Sequence, residues 1–149
     1  MIDVGDKRIV HRMARASGKI KLTRNTMEVI KQGKVKKGDV FTVARVAGIA
    51  AVKNTPSLIP FCHPIPVHFA GVDFEVGERD ITCRCEVRAD YKTGVEMEAL
   101  TGAAVALLTI WDMVKYLEKD EAGPYPDTEI TSIVVTEKSK EERSGLSRA

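Results

Sequence analysis

One long apolar stretch dominates this sequence: Lys92 to Lys115 reads KTGVEMEALTGAAVALLTIWDMVK. The positions from Ala99 to Trp111 are apolar or small almost without exception, and the stretch contains no proline. Because the run is too long for a strand, it predicts a helix. A helix that is apolar on all sides is expected to be buried on all sides. The rival interpretation, a membrane span, needs about 20 apolar residues, and Thr101, Thr109 and the charged flanks cut this run short.

Charged side chains lie at both ends of the predicted helix. Glu96 and Glu98 lie near its start, and Asp112 and Lys115 lie at its end. The fourteen positions from Glu98 to Asp112 correspond to about 21 Å along a helix. A small-molecule pocket within one chain would not easily hold both ends. Either only one end is functional, or an oligomer brings the Glu end of one chain near the Asp end of another.

Composition narrows the class of protein. A chain of 149 residues predicts a single domain over residues 1–149. A net charge of +2 and an aromatic content of 5% argue against bulk nucleic-acid binding and against a base-stacking RNA-binding sheet. The three cysteines, Cys62, Cys83 and Cys85, form no disulfide framework and indicate a reducing compartment. With no signal peptide visible, we expect a cytoplasmic protein with neither membrane nor nucleic-acid partners.

The remaining segments predict a mixed α and β fold. Residues 1 to about 22 are basic and irregular, which is typical of a solvated or frayed terminus, and the charged tail from about residue 139 is expected to be mobile. Alternation and turn signals place the other elements as follows: helices at 23–33 and 39–54, a rigid proline-rich segment at 58–66, a hairpin at 67–76 and 81–89, a polar loop at 120–127 and a last strand at 128–137. This order predicts an α+β fold, with helices packed on one face of an antiparallel sheet.

Several polar positions are candidate site residues. Cys62 and His63 lie on the rigid proline-rich segment, which is either a positioned site or a stiff crossover. Lys36 and Lys37 precede a helix N-terminus, where anions are favoured. Glu96 and Glu98 can complement the helix dipole or accept hydrogen bonds from an amino-bearing ring. Asp112 and Lys115 can meet as an i,i+3 pair. Together these groups suit an anionic, nitrogen-rich small molecule.

A metal site is the alternative for the cysteines and histidines. Cys62, His63 and His68 could act as ligands, but the sequence contains neither the CxxC nor the HxxxH spacing that zinc sites often use. Cys83 and Cys85 are more simply explained as small core residues. We therefore expect no bound metal.

Several blocks of the sequence resemble a known family. They are KGDV at 37–40, ARVAGI at 44–49, LIPFCHP at 58–64, KTGVEMEALT at 92–101 and LTIWDMVK at 108–115, and the match resumes at 137–139. Their identity and order are similar to those of cyclic pyranopterin monophosphate synthase, the C protein of molybdenum-cofactor biosynthesis. The resemblance implies a ferredoxin-like fold and a lyase that converts 3′,8-cyclo-7,8-dihydroguanosine 5′-triphosphate to cyclic pyranopterin monophosphate, releasing diphosphate. It also implies no cofactor, and a homo-hexamer, a trimer of dimers, with active sites between subunits.

The resemblance assigns roles to residues at matching positions. The catalytic residues would be Lys37, Asp112 and Lys115. The substrate-binding residues would be Phe61, Cys62, His63, Glu96, Met97, Glu98, Arg12, Lys53 and Lys138. Three departures from the family pattern are Phe61 in place of leucine, a long loop at 120–127, and KEERSG at 140–145 in place of a glycine-rich tail, so Lys140 and Arg143 are left out of the site.

The alternative function is a non-catalytic nucleotide-binding or RNA-binding regulatory module. The Asp112–Lys115 pair argues against it because binding alone does not need this pair. In the enzyme, two lysines in one pocket should lower each other's pKa, while Asp112 should act in the opposite direction.

Overall fold

The structure is a computed structural model of the chain and describes residues 1–142. Its elements are β1 (Val10–Lys21), α1 (Arg24–Lys31), α2 (Val40–Lys53), α3 (Thr55–Leu58), β2 (Val67–Val76), β3 (Asp80–Tyr91), α4 (Glu96–Glu118) and β4 (Glu129–Glu141). The strands form one antiparallel sheet in the order β2-β3-β1-β4. Helix α4 packs on β1 and β3, and α2 packs beside it against β2. The predicted α+β, ferredoxin-like arrangement is confirmed.

The prediction for the N-terminal residues is wrong from Val10 onward, because β1 lies in the interior of the sheet. It pairs with β3 on one side and with β4 on the other. Ala14, Ala16 and Ile20 are buried under the helices, while Arg15 and Lys19 between them point to solvent. The small inner side chains carry little hydrophobic signal, so the basic residues on the outer face concealed a strand.

The C-terminal end of the chain also differs from its prediction. The strand β4 continues to Glu141, although the tail was expected to be mobile from about residue 139. Residues 138–141 are held by pairing with residues 11–14 of β1, which the sequence-based interpretation did not recognise as a strand. Residues 143–149, including Arg143, lie outside the described part of the chain.

Local signals for the helix boundaries are confirmed. The Thr23 side chain accepts a hydrogen bond from the Thr26 backbone N–H and caps α1. Asp39 Oδ1 accepts one from the Thr42 N–H at 2.9 Å and caps α2. The helix α2 ends at Lys53 before the Thr55–Pro56 signal. The short helix α3 then follows, so the extended segment starts later than predicted.

Small residues set the distance between α2 and α4. A Cβ added to Gly102 would lie 2.6 Å from the Cys85 Sγ and 2.7 Å from the Val52 Cγ2. A Cβ added to Gly48 would lie 3.0 Å from the Gly102 carbonyl oxygen. Both positions therefore need glycine for the helices to pack this closely on each other and on the sheet. The expected roles of Cys83 and Cys85 as core residues are confirmed, since both are fully buried.

The prediction that α4 is buried on every side is wrong for a single chain. Ala99, Ala103 and Ile110 are fully buried, but Met97 is 41% exposed and Leu108 is 57% exposed. These two residues lie with the partly buried Thr101 and Val105 on one helix face. By length and composition α4 could cross a membrane, as core helices of water-soluble folds also can. In this fold, half of the most apolar 18-residue stretch of α4 is buried inside the protein.

A buried carboxylate joins three elements at the C-terminal end of α4. Glu118 is only 4% exposed. Its Oε1 accepts hydrogen bonds from the Thr23 N–H and the Thr128 hydroxyl, both at 3.0 Å. Its Oε2 lies 2.6 Å from the Thr26 hydroxyl. The side chain thus fixes the start of α1 and the approach to β4 against the end of α4.

We expect Glu118→Ala to lower the free energy of unfolding by about 3 kcal/mol, because a hydrogen bond to a charged group contributes about 1.5–3 kcal/mol and several partners lose theirs. Urea unfolding followed by circular dichroism measures this change. Glu121→Ala, at an exposed position in the following loop, is the matched control. A loss below about 1 kcal/mol, the usual net contribution of one neutral hydrogen bond, would contradict this role for Glu118.

Candidate active site

The three predicted catalytic residues lie together at one end of α4. The Lys37 Nζ donates to the Asp112 backbone oxygen at 2.8 Å and lies 3.2 Å from its Oδ2. The Lys115 Nζ lies 2.9 Å from the Asp112 Oδ1, as the i,i+3 spacing predicts. Lys37 reaches α4 from the turn before α2, where Gly38 adopts a positive φ of 114°. All three side chains are exposed in the single chain.

The charges in this catalytic cluster do not follow the expectation for two crowded lysines. The hydrogen bond that Lys115 donates to Asp112 raises the pKa of Lys115, and the negative charge of Asp112 adds to that effect. The hydrogen bonds from Lys115 and Lys37 lower the pKa of Asp112. The expectation that crowding lowers the lysine pKa is therefore wrong for Lys115 in the single chain. Asp112 lies between the two ammonium groups, and the exposed position gives desolvation little influence.

The predicted substrate-binding segments meet at the other end of α4, around a cavity of about 390 Å³. Cys62 and His63 of the rigid segment face the first turn of the helix across it. The lining residues are Met1, Ile2, Val4, Lys7, Phe61, Cys62, His63, Ile65, Thr93, Gly94, Glu96, Met97 and Glu98. The structure thus brings together six of the nine substrate-binding residues that the resemblance implied.

Two carboxylates in this pocket have opposite electrostatic environments. Burial raises the pKa of Glu96, but hydrogen bonds and the charges of Lys138 and Arg12 outweigh burial and leave it lowered. The Lys138 Nζ lies 2.5 Å from the Glu96 Oε1. Burial raises the pKa of Glu98, which is 3% exposed, and the negative charge of Glu96 adds to that shift. Burial also raises the pKa of the Cys62 thiol, with a further contribution from Glu98.

Arg12 and Lys138 lie beside the pocket through their contacts with its rim. The Arg12 Nη2 donates to the Lys92 backbone oxygen at 3.2 Å. The Arg12 Nε is buried and has no hydrogen-bond partner among the described residues. An unsatisfied buried donor of this kind is costly unless a ligand or water accepts its proton.

The first residues of the chain also line the pocket, and the sequence analysis did not identify them as site residues. The His63 Nε2 lies 2.8 Å from the Ile2 backbone oxygen, and the Lys92 Nζ donates to the Gly5 oxygen at 2.5 Å. Val4 is buried between these contacts. The apolar Ile2 and Val4 among charged neighbours were the only available signal, and it is weak in a segment of this composition.

Two of the proposed basic residues do not join this pocket. Lys53 is exposed at the C-terminal end of α2 and is not among the lining residues. Lys37 lies in the catalytic cluster, about 21 Å away along α4. One chain therefore presents its candidate site residues in two separate groups, called half-sites below, at opposite ends of one helix.

Comparisons with known proteins find relatives that match nearly the whole chain. The model of the MoaC family matches residues 1–141. A relative from Thermococcus onnurineus, named probable cyclic pyranopterin monophosphate synthase, is 61% identical over 142 residues, covering 95% of this chain and 91% of its own. Relatives of the same name from Pyrococcus furiosus and Methanosarcina acetivorans are 58% and 56% identical, covering 97% and 94% of this chain and 92% and 89% of their own. With a family model that matches nearly the whole chain and relatives at this identity, the chain belongs to the MoaC family.

Proposed function

We propose that this chain is a cyclic pyranopterin monophosphate synthase. It would convert 3′,8-cyclo-7,8-dihydroguanosine 5′-triphosphate to cyclic pyranopterin monophosphate and release diphosphate, as a lyase of molybdenum-cofactor biosynthesis. The observation that carries this proposal is the contact of Lys37 and Lys115 with Asp112, in a chain whose relatives carry that name. A binding module has no need of two ammonium groups held on one carboxylate.

The catalytic cluster supplies groups for proton transfer. The rearrangement must move protons onto and off ring nitrogens and sugar carbons near neutral pH. Lys115 is protonated near neutral pH, as an ordinary lysine is, so it can serve as the proton donor; because Asp112 raises its pKa further, substrate binding would have to weaken that contact before the proton is released readily. Asp112 orients Lys115 through the 2.9 Å contact. Lys37 supplies the second amine from a separate loop.

The pocket at the start of α4 would hold the substrate. The Glu98 carboxylate and its neighbours can accept hydrogen bonds from the N–H groups of a guanine ring. His63, Arg12 and Lys138 can bind the triphosphate, and the unpartnered Arg12 Nε is a donor available to a phosphate oxygen. To bind there, a phosphate group would displace the Ile2 oxygen from the His63 Nε2.

We further propose a homo-hexamer, a trimer of dimers, in which each active site combines two chains. The exposed apolar face of α4 around Met97 and Leu108 supports a subunit contact along this helix. The separation of the two half-sites supports a shared site, because neither half holds both the acid–base groups and the binding pocket. Each site would take its catalytic cluster from one chain and its pocket from another.

A cytoplasmic location is also part of the proposal. All three cysteines are free thiols, which agrees with a reducing compartment. Membranes and nucleic acids are not proposed as partners.

Replacement of any of the three catalytic residues should abolish most turnover of the cyclic dihydroguanosine triphosphate. We expect Lys37→Ala, Lys115→Ala and Asp112→Ala each to lower the single-turnover rate by about 10²–10⁴-fold, as for loss of a general acid or base. Rapid-quench measurement of pyranopterin formation tests this. The matched control is Lys36→Ala, whose Nζ lies over the Tyr116 ring, 5.3 Å from its centroid. No product from the folded wild-type chain would favour the non-catalytic nucleotide-binding or RNA-binding module instead.

Mixing two inactive variants tests whether the site is shared. Lys115→Ala and His63→Ala subunits, unfolded together and refolded in equal amounts, should regain activity. By random assembly about a quarter of the composite sites would combine an intact catalytic cluster with an intact pocket. The control is a mixture of Lys115→Ala with Asp112→Ala, which lie in the same half-site and should not complement each other. Failure of the first mixture, with mixed oligomers present, would place the whole site within one chain.

Glu98 and Glu96 should affect stability with opposite signs. Because the pKa of Glu98 is raised in the folded chain, its ionisation opposes folding as the pH rises above the ordinary value of 4.5. We therefore expect Glu98→Gln to raise the free energy of unfolding at pH 7, with the gain shrinking toward pH 4. Glu96→Gln should lower it at pH 7, since the pKa of Glu96 is lowered. Urea unfolding at both pH values measures these changes, and the same sign for both variants would contradict the opposite environments of the two carboxylates.

A further inference from the structure

A third cluster of side chains lies outside both half-sites. It consists of His11, His68 and Asp90, which come from β1, β2 and β3. The His11 Nδ1 lies 2.8 Å from the Asp90 Oδ1, and the His68 Nε2 lies 3.6 Å from the same oxygen. The two imidazole rings are stacked with their centroids 5.5 Å apart. All the potential ligand atoms lie within 4.8 Å of one another.

The sheet geometry places this cluster on the face opposite to the helices. Val10 and Ala89 are buried, and Ala89 belongs to the hydrophobic core on the helix side of the sheet. Since side chains alternate along a strand, their neighbours His11 and Asp90 point to the open face. These two residues are direct partners across the β1–β3 ladder. The position of the cluster therefore separates it from the pocket and from the catalytic cluster.

A β-bulge brings the third side chain into place. Val67 pairs with Ala89 and Phe69 pairs with Arg88, so His68 is an extra residue in β2. In a regular ladder His68 would lie opposite Arg88. The bulge gives that place to Phe69, whose ring lies 4.3 Å from the Arg88 guanidinium. It leaves His68 displaced toward Asp90, and bulges are known to redirect side chains in this way.

We propose that His11, His68 and Asp90 bind a divalent transition-metal ion of the zinc class. Imidazole nitrogens and a carboxylate oxygen are ligands that zinc accepts. Tetrahedral ligands at about 2.0–2.1 Å from zinc lie about 3.3 Å from one another, and the observed 2.8 and 3.6 Å lie on either side of that value. Small rotamer shifts would bring both imidazoles and the carboxylate to one ion.

Charge and spare ligands also suit a cation at this place. Glu141 lies directly opposite His11 on β4, where paired side chains are near enough to interact. It can supply a further carboxylate, and water can take a remaining position. Arg88 lies two positions before Asp90 on the same face of β3, and its guanidinium lies 2.6 Å from Glu86 and over the Phe69 ring. The Glu86 carboxylate therefore offsets the positive charge of Arg88, which would otherwise repel a cation bound by the cluster.

The other thiols and imidazole of the chain do not offer an equal site. Cys83 and Cys85 are fully buried in the hydrophobic core, where burial raises the pKa of both thiols to about 12. Cys62 and His63 belong to the substrate pocket, where the His63 Nε2 is already engaged by Ile2. A metal on His11, His68 and Asp90 would join three strands and leave the pocket free for its ligand.

Metal titration of the full chain tests the proposal. Chelator-treated protein should bind one Co²⁺ per chain with a visible d–d spectrum and no thiolate charge-transfer band, and Zn²⁺ should displace it. His68→Ala and Asp90→Asn should each weaken Zn²⁺ binding, measured by calorimetry, by more than the about 10–100-fold typical of losing a second-shell partner. The matched controls are His63→Ala and Cys62→Ser, which should bind as the wild type does.

A thermal readout makes the test independent of any folding defect. Zn²⁺ should raise the melting temperature of the wild type but not that of His68→Ala, with both folds checked by circular dichroism without metal. Unchanged Zn²⁺ affinity in His68→Ala would overturn the proposal. So would a thiolate charge-transfer band that disappears in Cys62→Ser, or the absence of stoichiometric binding at micromolar concentrations.

Discussion

The rigidity of one long helix is the constraint on which the arrangement of this molecule depends. Between Glu98 and Asp112, α4 keeps two groups of functional side chains about 21 Å apart, because a packed helix neither bends nor shortens at low cost. The pocket forms where the start of α4 meets the proline-rich segment. The catalytic cluster forms where its end meets the turn before α2. No side-chain rotation can merge the two groups within one chain, and this separation is why the proposed function invokes a second copy of the chain.

The packing around α4 explains why its two ends are so well placed. Gly48 and Gly102 let α2 and α4 pack closely against each other, and Lys37 and the Asp39 cap lie at the N-terminal end of this packed α2. Glu118 fixes the last turn through three threonines. Neither feature touches the proposed substrate, yet both determine where Lys37 and Lys115 meet Asp112. The contacts that stabilise the fold therefore also position the three candidate catalytic residues.

The sequence predicted structure that depends on neighbouring residues better than it predicted the pairing of distant strands and the positions of the two termini. Caps at Thr23 and Asp39, the hairpin of β2 and β3, and the helical Asp112–Lys115 pair depend on neighbours within a few residues. The strand β1 was missed because Ala14 and Ala16 give a weak apolar pattern between basic side chains. His11 and Asp90 are 79 positions apart, and only the ladder register and a bulge bring His68 to them. The direction of the Lys115 pKa shift depended on which neighbour lies nearest, which spacing alone does not determine.

One edge of the sheet has a further consequence. The strand β4 pairs with β1 on one side, and its segment from Ile133 to Val135 exposes three consecutive β-branched residues, 40%, 48% and 40% accessible, with no charge among them. Natural proteins usually protect such an edge with lysine, proline, a bulge or a covering element, and here the pairing of β4 with β1 shifts register at both ends of the segment. These shifts work against the addition of a further strand at this edge. Where that protection is overcome, the three apolar residues are the place at which misdirected strand pairing would begin.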